Sequence, residues 1–346
     1  MLRSALAVQE RHPLVRIAGR RPLVSTPQLR LWHLLAPPCA LAVAAAIAAP
    51  LSLRGGGPSE GVVLSATTMA DAIGVGGLPA LSLGDEGLAD VSLLAGNTLV
   101  AYYGSPRQPA MGILGEHDAE AIAWLLSARA ARFDALNGDT VVVPVLHLVY
   151  GVAQPETGAD GLYLRYVDDR TVRQYLDLAR RYGFALVLDL QIGHSSALAE
   201  VRKILPYLEE PDVHVALDPE FALAGGATPG AAIGTLDASD INAVQWLLAE
   251  FTRQRNLPKK VLIVHQFEAA MISDATAIER RSGVDLVIDM DGYGPADIKT
   301  ATYQRYGAAP YAPFGGIKLF LRHDPDLMTE QQLLDIEPRP AFFLYQ

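Results

Sequence analysis

From Thr98 onward, apolar and polar positions recur in a fixed order: a short β-rich apolar run, a polar loop, then a longer stretch with helical spacing. The runs are Thr98–Tyr103, Thr140–Tyr150, Phe184–Leu190, Val213–Leu217, Lys260–His265, Asp285–Met290, Gly316–Leu321 and Ala341–Tyr345. They are apolar nearly throughout, as expected of strands covered on both faces. Between them Asp118–Leu136, Asp169–Tyr182, Ser239–Arg255 and Pro295–Tyr306 read as helices, with Asp118, Asp169 and Ser239 as N-caps and Gly183 as a C-cap. The alternation predicts the α/β class and a single (βα)8 TIM-type barrel over residues 98–346, its last strand closing against its first. An open doubly wound sheet is disfavoured, because no G-x-G-x-x-G follows the first strand and the eighth run arrives only at Ala341–Tyr345.

Upstream the pattern changes. Leu31–Leu53 is apolar apart from His33 and the Pro37-Pro38 pair, and its core, Cys39–Ala49, has the length of a secretory h-region ending in small residues. The whole stretch approaches the ~20 apolar residues that a bilayer span needs. Residues 1–54 are therefore expected to be a signal peptide or membrane anchor, placing the body outside the cytoplasm, either secreted or held on the outer face of the cytoplasmic membrane. The membrane is a partner only if this segment stays uncleaved. Gly55-Gly56-Gly57-Pro58-Ser59 opens a linker, and Glu60–Asn97, small and apolar, reads as a strap packed on the barrel, so residues 55–97 form linker and strap.

Charge follows the same division. Residues 1–54 hold seven Arg and one acid, leaving 21 basic and 37 acidic residues in the remainder, a formal charge of −16. A body this acidic, without a basic stripe, does not suit phosphate backbones, and nucleic acid is excluded as a partner. The single cysteine, Cys39, lies in the leader, so disulfides, Cys-ligated zinc and a Cys nucleophile are excluded for the body.

Barrel enzymes work at the carboxyl ends of their strands. There this chain places Tyr103, His147, Asp189 with Gln191, Asp218 with Glu220, His265 with Gln266, Asp289 with Asp291, and Lys318. At a strand period of two, Asp189 and Gln191 share a face, as do Asp218 and Glu220, and Asp289 and Asp291. Carboxylates from three strands would then converge on one cavity and raise one another's pKa, leaving one acid protonated beside an ionised partner. Glycosidic cleavage needs that pairing. Glu220, Asp218, Asp291 and Asp189 are the expected catalytic residues, with Glu220 the proton donor because its side chain reaches further. Tyr103, His147, Gln191, His265, Gln266, Tyr293 and Lys318 are expected to bind substrate, Lys318 pairing with Asp291 or Asp289. Tyr102, Tyr103, Tyr150 and Tyr293 could serve as aromatic platforms for a sugar. The long Gly-rich loop Ala222–Ala238 is expected to frame the site. No cofactor and no metal are expected, since H-x-H and H-E-x-x-H spacings are missing; a metal site, ranked lower, would draw on Asp189, Asp218, Asp289 and His265.

Two resemblances rest on these motifs. Over Thr98–Gln346 the chain resembles an uncharacterised family of exported bacterial barrel proteins often labelled lipoproteins. The match runs through Tyr102-Tyr103-Gly104, Met111-Gly112-Ile113-Leu114-Gly115-Glu116, Asp189-Leu190-Gln191-Ile192-Gly193, Ala216-Leu217-Asp218-Pro219-Glu220-Phe221, Val264-His265-Gln266-Phe267, Asp289-Met290-Asp291-Gly292-Tyr293-Gly294 and Ile317-Lys318-Leu319-Phe320. More locally, Asp218-x-Glu220 is similar to the acid pair of chitinase-like and muramidase-type glycosidase barrels, although the fuller D-x-x-D-x-D-x-E pattern would need Asp where the chain has Val213 and Ala216. The resemblance implies a glycoside hydrolase-like enzyme acting on a polysaccharide or glycan by carboxylate general acid catalysis. A metal-dependent hydrolase, or a non-catalytic surface carbohydrate-binding or envelope protein, is the alternative expectation.

Overall fold

The computed structural model describes residues 88–223 and 226–346. The expected leader, the linker and most of the strap lie outside the described residues. Eight parallel strands form the centre: β1 (Asn97–Gly104), β2 (Val141–Ala153), β3 (Ala185–Gly193), β4 (Val213–Ala222), β5 (Lys260–Gln266), β6 (Val284–Met290), β7 (Phe314–Leu319) and β8 (Phe342–Tyr345). Each pairs with its sequence neighbour, and Leu99 of β1 also pairs with Phe342 of β8 in parallel register, which closes the ring. The expected (βα)8 barrel is therefore the fold.

Four strands differ from the apolar runs by two residues or more: β2 and β3 run on to Ala153 and Gly193 rather than ending at Tyr150 and Leu190, and β4 and β7 differ as follows. β4 runs on to Ala222 rather than stopping at Leu217, so Asp218 and Glu220 belong to the strand and not to a turn. β7 begins at Phe314 and ends at Leu319, two residues earlier at each end than the apolar run suggested.

The helices cover the outside: α1 (Ala119–Asp134), α2 (Asp169–Tyr182), α3 (Ala197–Leu208), α4 (Ala238–Arg255) and α5 (Ala296–Arg305). Asp118 caps α1 by accepting from the Ala121 N–H, and Gly183 ends α2 in the left-handed region at φ 67°. The other two caps shift upstream. Asp168, not Asp169, accepts from Thr171, and Asp237, not Ser239, caps α4 in a reciprocal box with Asp240. A carboxylate at the N-cap itself satisfies amide donors that one position later it could not reach. Helix α3 buries Ala197, Glu200, Val201, Ile204 and Leu208, the three-and-four spacing of a helix face, despite Pro206 in its last turn.

Strand parity sorts the core into two bodies. Outward residues such as Leu186, Leu188, Leu190, Leu262, Val264, Leu286 and Ile288 pack on the helices. Inward residues, among them Leu99, Ala101, Val143, Val145, Val187, Ala216, Val261, Ile263, Val287, Phe342 and Leu344, fill the barrel and meet Leu94 from the segment before β1. That segment is fastened at the amino ends of the strands, where the Lys259 N–H donates to Val91 O and the Ser92 hydroxyl donates to Asp285. The barrel thus has an apolar floor, beyond which a set of polar inward residues lies toward the carboxyl ends.

Candidate functional site

Above the floor, inward parity delivers Tyr103, His147, Asp189, Asp218, His265, Asp289 and Lys318 from seven different strands. All are buried, and His147, Asp189, His265 and Asp289 are wholly so. Buried polar groups persist only if they satisfy one another. Here most of them do so as a chain, which leaves His147 Nδ1, Asp189 Oδ1 and Asp289 Oδ1 without a hydrogen-bond partner. Asp189 Oδ2 lies 3.0 Å from His147 Nε2 and 3.1 Å from His265 Nε2. His265 Nδ1 lies 3.0 Å from Asp289 Oδ2 and 3.5 Å from Asp291 Oδ2. Lys318 Nζ pairs with Asp291 Oδ1 at 3.0 Å and stands 3.9 Å from the centre of the Tyr103 ring, a cation–π contact.

His265 faces a carboxylate oxygen at each ring nitrogen, and a neutral imidazole has one N–H for two acceptors. Burial opposes its charge, but Asp189, Asp289 and Asp291 together outweigh burial and hold its pKa well above the ordinary value. Asp189 is correspondingly held low: its own burial would raise it, and the two histidines reverse that. His147 goes the other way. Burial lowers its pKa, only partly countered by Asp189, which favours the neutral ring. Lys318 keeps its charge because Asp291, Asp218 and Asp289 outweigh its burial.

The acid pair on β4 has different surroundings. Asp218 Oδ1 accepts the Glu220 backbone N–H at 3.1 Å. Burial, then the Glu220 charge, push the Asp218 carboxyl well above the usual carboxylate range. Glu220, nearer the opening, is pushed up to about 7 by burial and then by Asp291, with Lys318 and His265 holding it back. The loop expected to frame the site does pack here: the Gly234 N–H donates to Glu220 O at 2.6 Å and the Thr235 N–H to Ala222 O at 3.0 Å. A Cβ at Gly234 would sit 2.4 Å from Ala222 O, so only glycine allows this approach.

The remaining expected residues are dispersed. Gln191 shares the inward face of Asp189, but its Oε1 accepts the Ala153 N–H at 2.7 Å, joining the ends of β2 and β3 where their register shifts. Gln266 has the outward parity of Leu262 and Val264; its Oε1 accepts from the Tyr311 hydroxyl at 2.9 Å, so its side chain leaves the buried chain of polar groups. Tyr293 is half-buried, its ring 6.0 Å from Phe320 and 6.2 Å from His323. The platform expectation fails for two tyrosines, because parity turns them to the helices: the Tyr102 hydroxyl donates to Leu125 O, and Tyr150 packs against Tyr166 and Tyr207. His214 is a packed residue, with Nδ1 accepting the Val261 N–H at 3.1 Å.

Sequence reasoning missed two contributors, Glu268 and the Lys299–Asp324 clamp, and named a third, Asp289, only as a partner for Lys318 or a metal ligand. Asp289, absent from the expected catalytic and binding sets, is the partner of His265; its inward parity with Asp291 was the available signal. Glu268, just past β5, adds to the negative field on Glu220. Lys299 donates to Gly292 O at 2.7 Å and pairs with Asp324 at 3.1 Å, while Asp324 accepts the N–H groups of Gly294 and Phe320. This clamp binds the loops after β6 and β7, which carry Asp291 and Tyr293, and no local pattern announces it. A shallow depression of about 400 Å3, lined by Trp246, Arg253, Arg280 and Gly283 among others, lies at the amino end of β6, away from these groups.

For a metal, the described residues gather a different set from the expected one. His147, Asp189 and His265 bring one ligand atom each to within 4.8 Å of the others. Asp218 is not among them, and Asp289 stands on the far nitrogen of His265.

No protein-family model matches the chain, and no curated protein sequence matches it. Among solved structures, a GH18 chitinase from Pseudoalteromonas aurantia is similar over 72% of this chain and 93% of that one, at 12% identity and a TM-score of 0.39. The barrel assignment rests on the strand pairing itself.

Proposed function

We propose that the protein is an extracytoplasmic glycoside hydrolase-like enzyme acting on a polysaccharide or other glycan, with Glu220 as general acid. The observation that carries the reading is the inward placement of Glu220 with Asp218 and Asp291 at the carboxyl end of the barrel, where burial and then the Asp291 charge push the Glu220 carboxyl up to about 7. A proton held there at neutral pH can be given to the glycosidic oxygen as the bond to the anomeric carbon breaks. Asp291, fixed by Lys318, supplies the negative group that supports the oxocarbenium-like centre. Asp218 orients the donor through its backbone N–H. Water completes the reaction by adding its hydroxyl to the anomeric carbon and giving its remaining proton to the Glu220 carboxylate, which regenerates the acid. The extracytoplasmic placement follows from the leader pattern in the sequence.

The test is release of reducing ends from a panel of purified polysaccharides by wild type and Glu220→Gln. Turnover by wild type that collapses in the variant supports the reading. Saturable glycan binding without turnover by either protein would replace it with the non-catalytic carbohydrate-binding alternative.

A further inference from the structure

We infer that His147, Asp189 and His265 form a binding site for a single divalent transition-metal ion of the zinc type, in the barrel interior beyond the apolar floor. The inference is independent of which bond the protein cleaves.

Four observations converge. First, the donor atoms come from β2, β3 and β5, on side chains wholly buried and held by a closed barrel, so the site is built before any ion arrives. Second, the spacing fits. Asp189 Oδ2 lies 3.0 Å from one imidazole nitrogen and 3.1 Å from the other. Ligand bonds of about 2.0–2.2 Å to a tetrahedral centre put neighbouring donor atoms about 3.3–3.6 Å apart, so an ion would spread these donors by only a few tenths of an ångström.

Third, the outward nitrogen of His265 meets Asp289 Oδ2 at 3.0 Å. Ligating histidines are oriented by such a carboxylate, which keeps the N–H on one side; an ion would take the place of the proton on the other nitrogen and release it. Fourth, Asp189 Oδ1 is buried with no hydrogen-bond partner. An orphaned carboxylate oxygen costs the site its desolvation, and a cation beside the same carboxylate offsets that cost. Two imidazoles and one carboxylate are a donor set for zinc, cobalt or nickel rather than for calcium or magnesium, which take oxygen cages.

The absence of a short motif does not count against the site. His147 and Asp189 are 42 residues apart and Asp189 and His265 are 76, so the ligands meet only through the fold.

The test needs no substrate. The full chain, stripped with chelator and dialysed, is titrated with zinc chloride by calorimetry and with cobalt(II) by visible absorption, which reports the coordination number. We expect one ion per chain, loss of uptake in Asp189→Asn and in His147→Gln, and a drop of about 10–100-fold in affinity for Asp289→Asn, the usual cost of losing an orienting carboxylate. Glu220→Gln should bind the ion as wild type does, so failure of the metal site and failure of the glycosidase reading are separately visible. If the ligand variants do not fold, the wild-type cobalt spectrum and the zinc-induced rise in Tm decide. Wild type that is folded by circular dichroism yet takes up neither ion overturns the inference, as does uptake that survives in both ligand variants.

Discussion

Asp218 turns its carboxylate back onto the main chain of Glu220, Oδ1 accepting that residue's N–H at 3.1 Å. The bond ties the proposed donor to the residue two positions before it, on the same inward face. Burial and then the Glu220 charge push the Asp218 carboxyl up, which favours its neutral form. Asp218→Asn keeps both the neutrality and the acceptor, whereas Asp218→Ala loses the acceptor and leaves an amide unsatisfied, a cost of about 1–3 kcal/mol. Turnover within a few-fold of wild type is expected for Asn and a much larger loss for Ala. Equal losses, measured as kcat on one polysaccharide, would sink this account of Asp218.

Glu220→Gln removes the proton itself. General acid help is typically worth ~10²–10⁴ in rate, and kcat on a natural glycan should fall by about that much, with KM little changed. An aryl glycoside with a good leaving group needs little protonation and should recover much of the loss. Near-wild-type turnover of the natural glycan by this variant rules the assignment out.

The same carboxyl links pH to stability. Its native pKa is about 7 against an ordinary 4.5. Between those values the folded protein holds a proton that the unfolded chain has released, so its contribution is full below about pH 4.5 and declines as pH rises through about 7. At 1.36 kcal/mol per pKa unit this amounts to something on the order of 3 kcal/mol. Glu220→Gln should therefore match wild type in urea unfolding near pH 4 and exceed it above neutrality. Activity should have an alkaline limb near 7, and Asp291→Asn, which removes the opposing charge, should move that limb to lower pH. A limb that stays in place in Asp291→Asn would show that burial alone sets it.

Lys318 and Asp291 form a buried pair at 3.0 Å. Removing one member of such a pair leaves an uncompensated charge and typically costs about 3–5 kcal/mol. Lys318→Met should lose that much in denaturant unfolding, and adding Asp291→Asn to it should restore most of the loss. No recovery in the double variant would locate the role of Lys318 in its packing over Tyr103 instead.

Gly316 makes room for the cluster. A Cβ there would stand 2.6 Å from Asp289 Oδ1 and 3.0 Å from Phe342. Gly316→Ala should push Asp289 off His265 and, on the metal inference, weaken zinc uptake while the barrel still folds. Unchanged zinc affinity in a folded Gly316→Ala protein contradicts that coupling.

The eight strands were legible because both faces of each are buried, which leaves near-continuous apolar runs such as Phe184–Leu190. Parity then pointed inward for Asp189, Asp218, Glu220, Asp289 and Asp291. Applied to Gln266, the same parity would have set it with Leu262 and Val264, away from the cluster. Helix α3 was obscured by Pro206, and the caps of α2 and α4 by runs of adjacent acids or hydroxyls in which several residues could serve. The gathering of His147, Asp189 and His265 was beyond reach. It depends on how the tilt and stagger of the strands set the height of each residue around the ring. Lys299 on α5 and Asp324 in the loop after β7 meet for similar reasons, which neither sequence segment foreshadows.

The pairing of β1 with β8 also sets the order in which this molecule can be made. Leu99 and Phe342 come from opposite ends of the described chain, so the ring cannot shut until nearly all of that stretch has left the ribosome. Until then β1 and β7 each have an unpaired edge, and the polar cluster lacks the wall that Phe342 and Leu344 provide. Contacts this distant along the chain slow folding and lengthen the life of open intermediates. A nascent chain with exposed strand edges needs protection from edge-to-edge association until β8 has paired with β1.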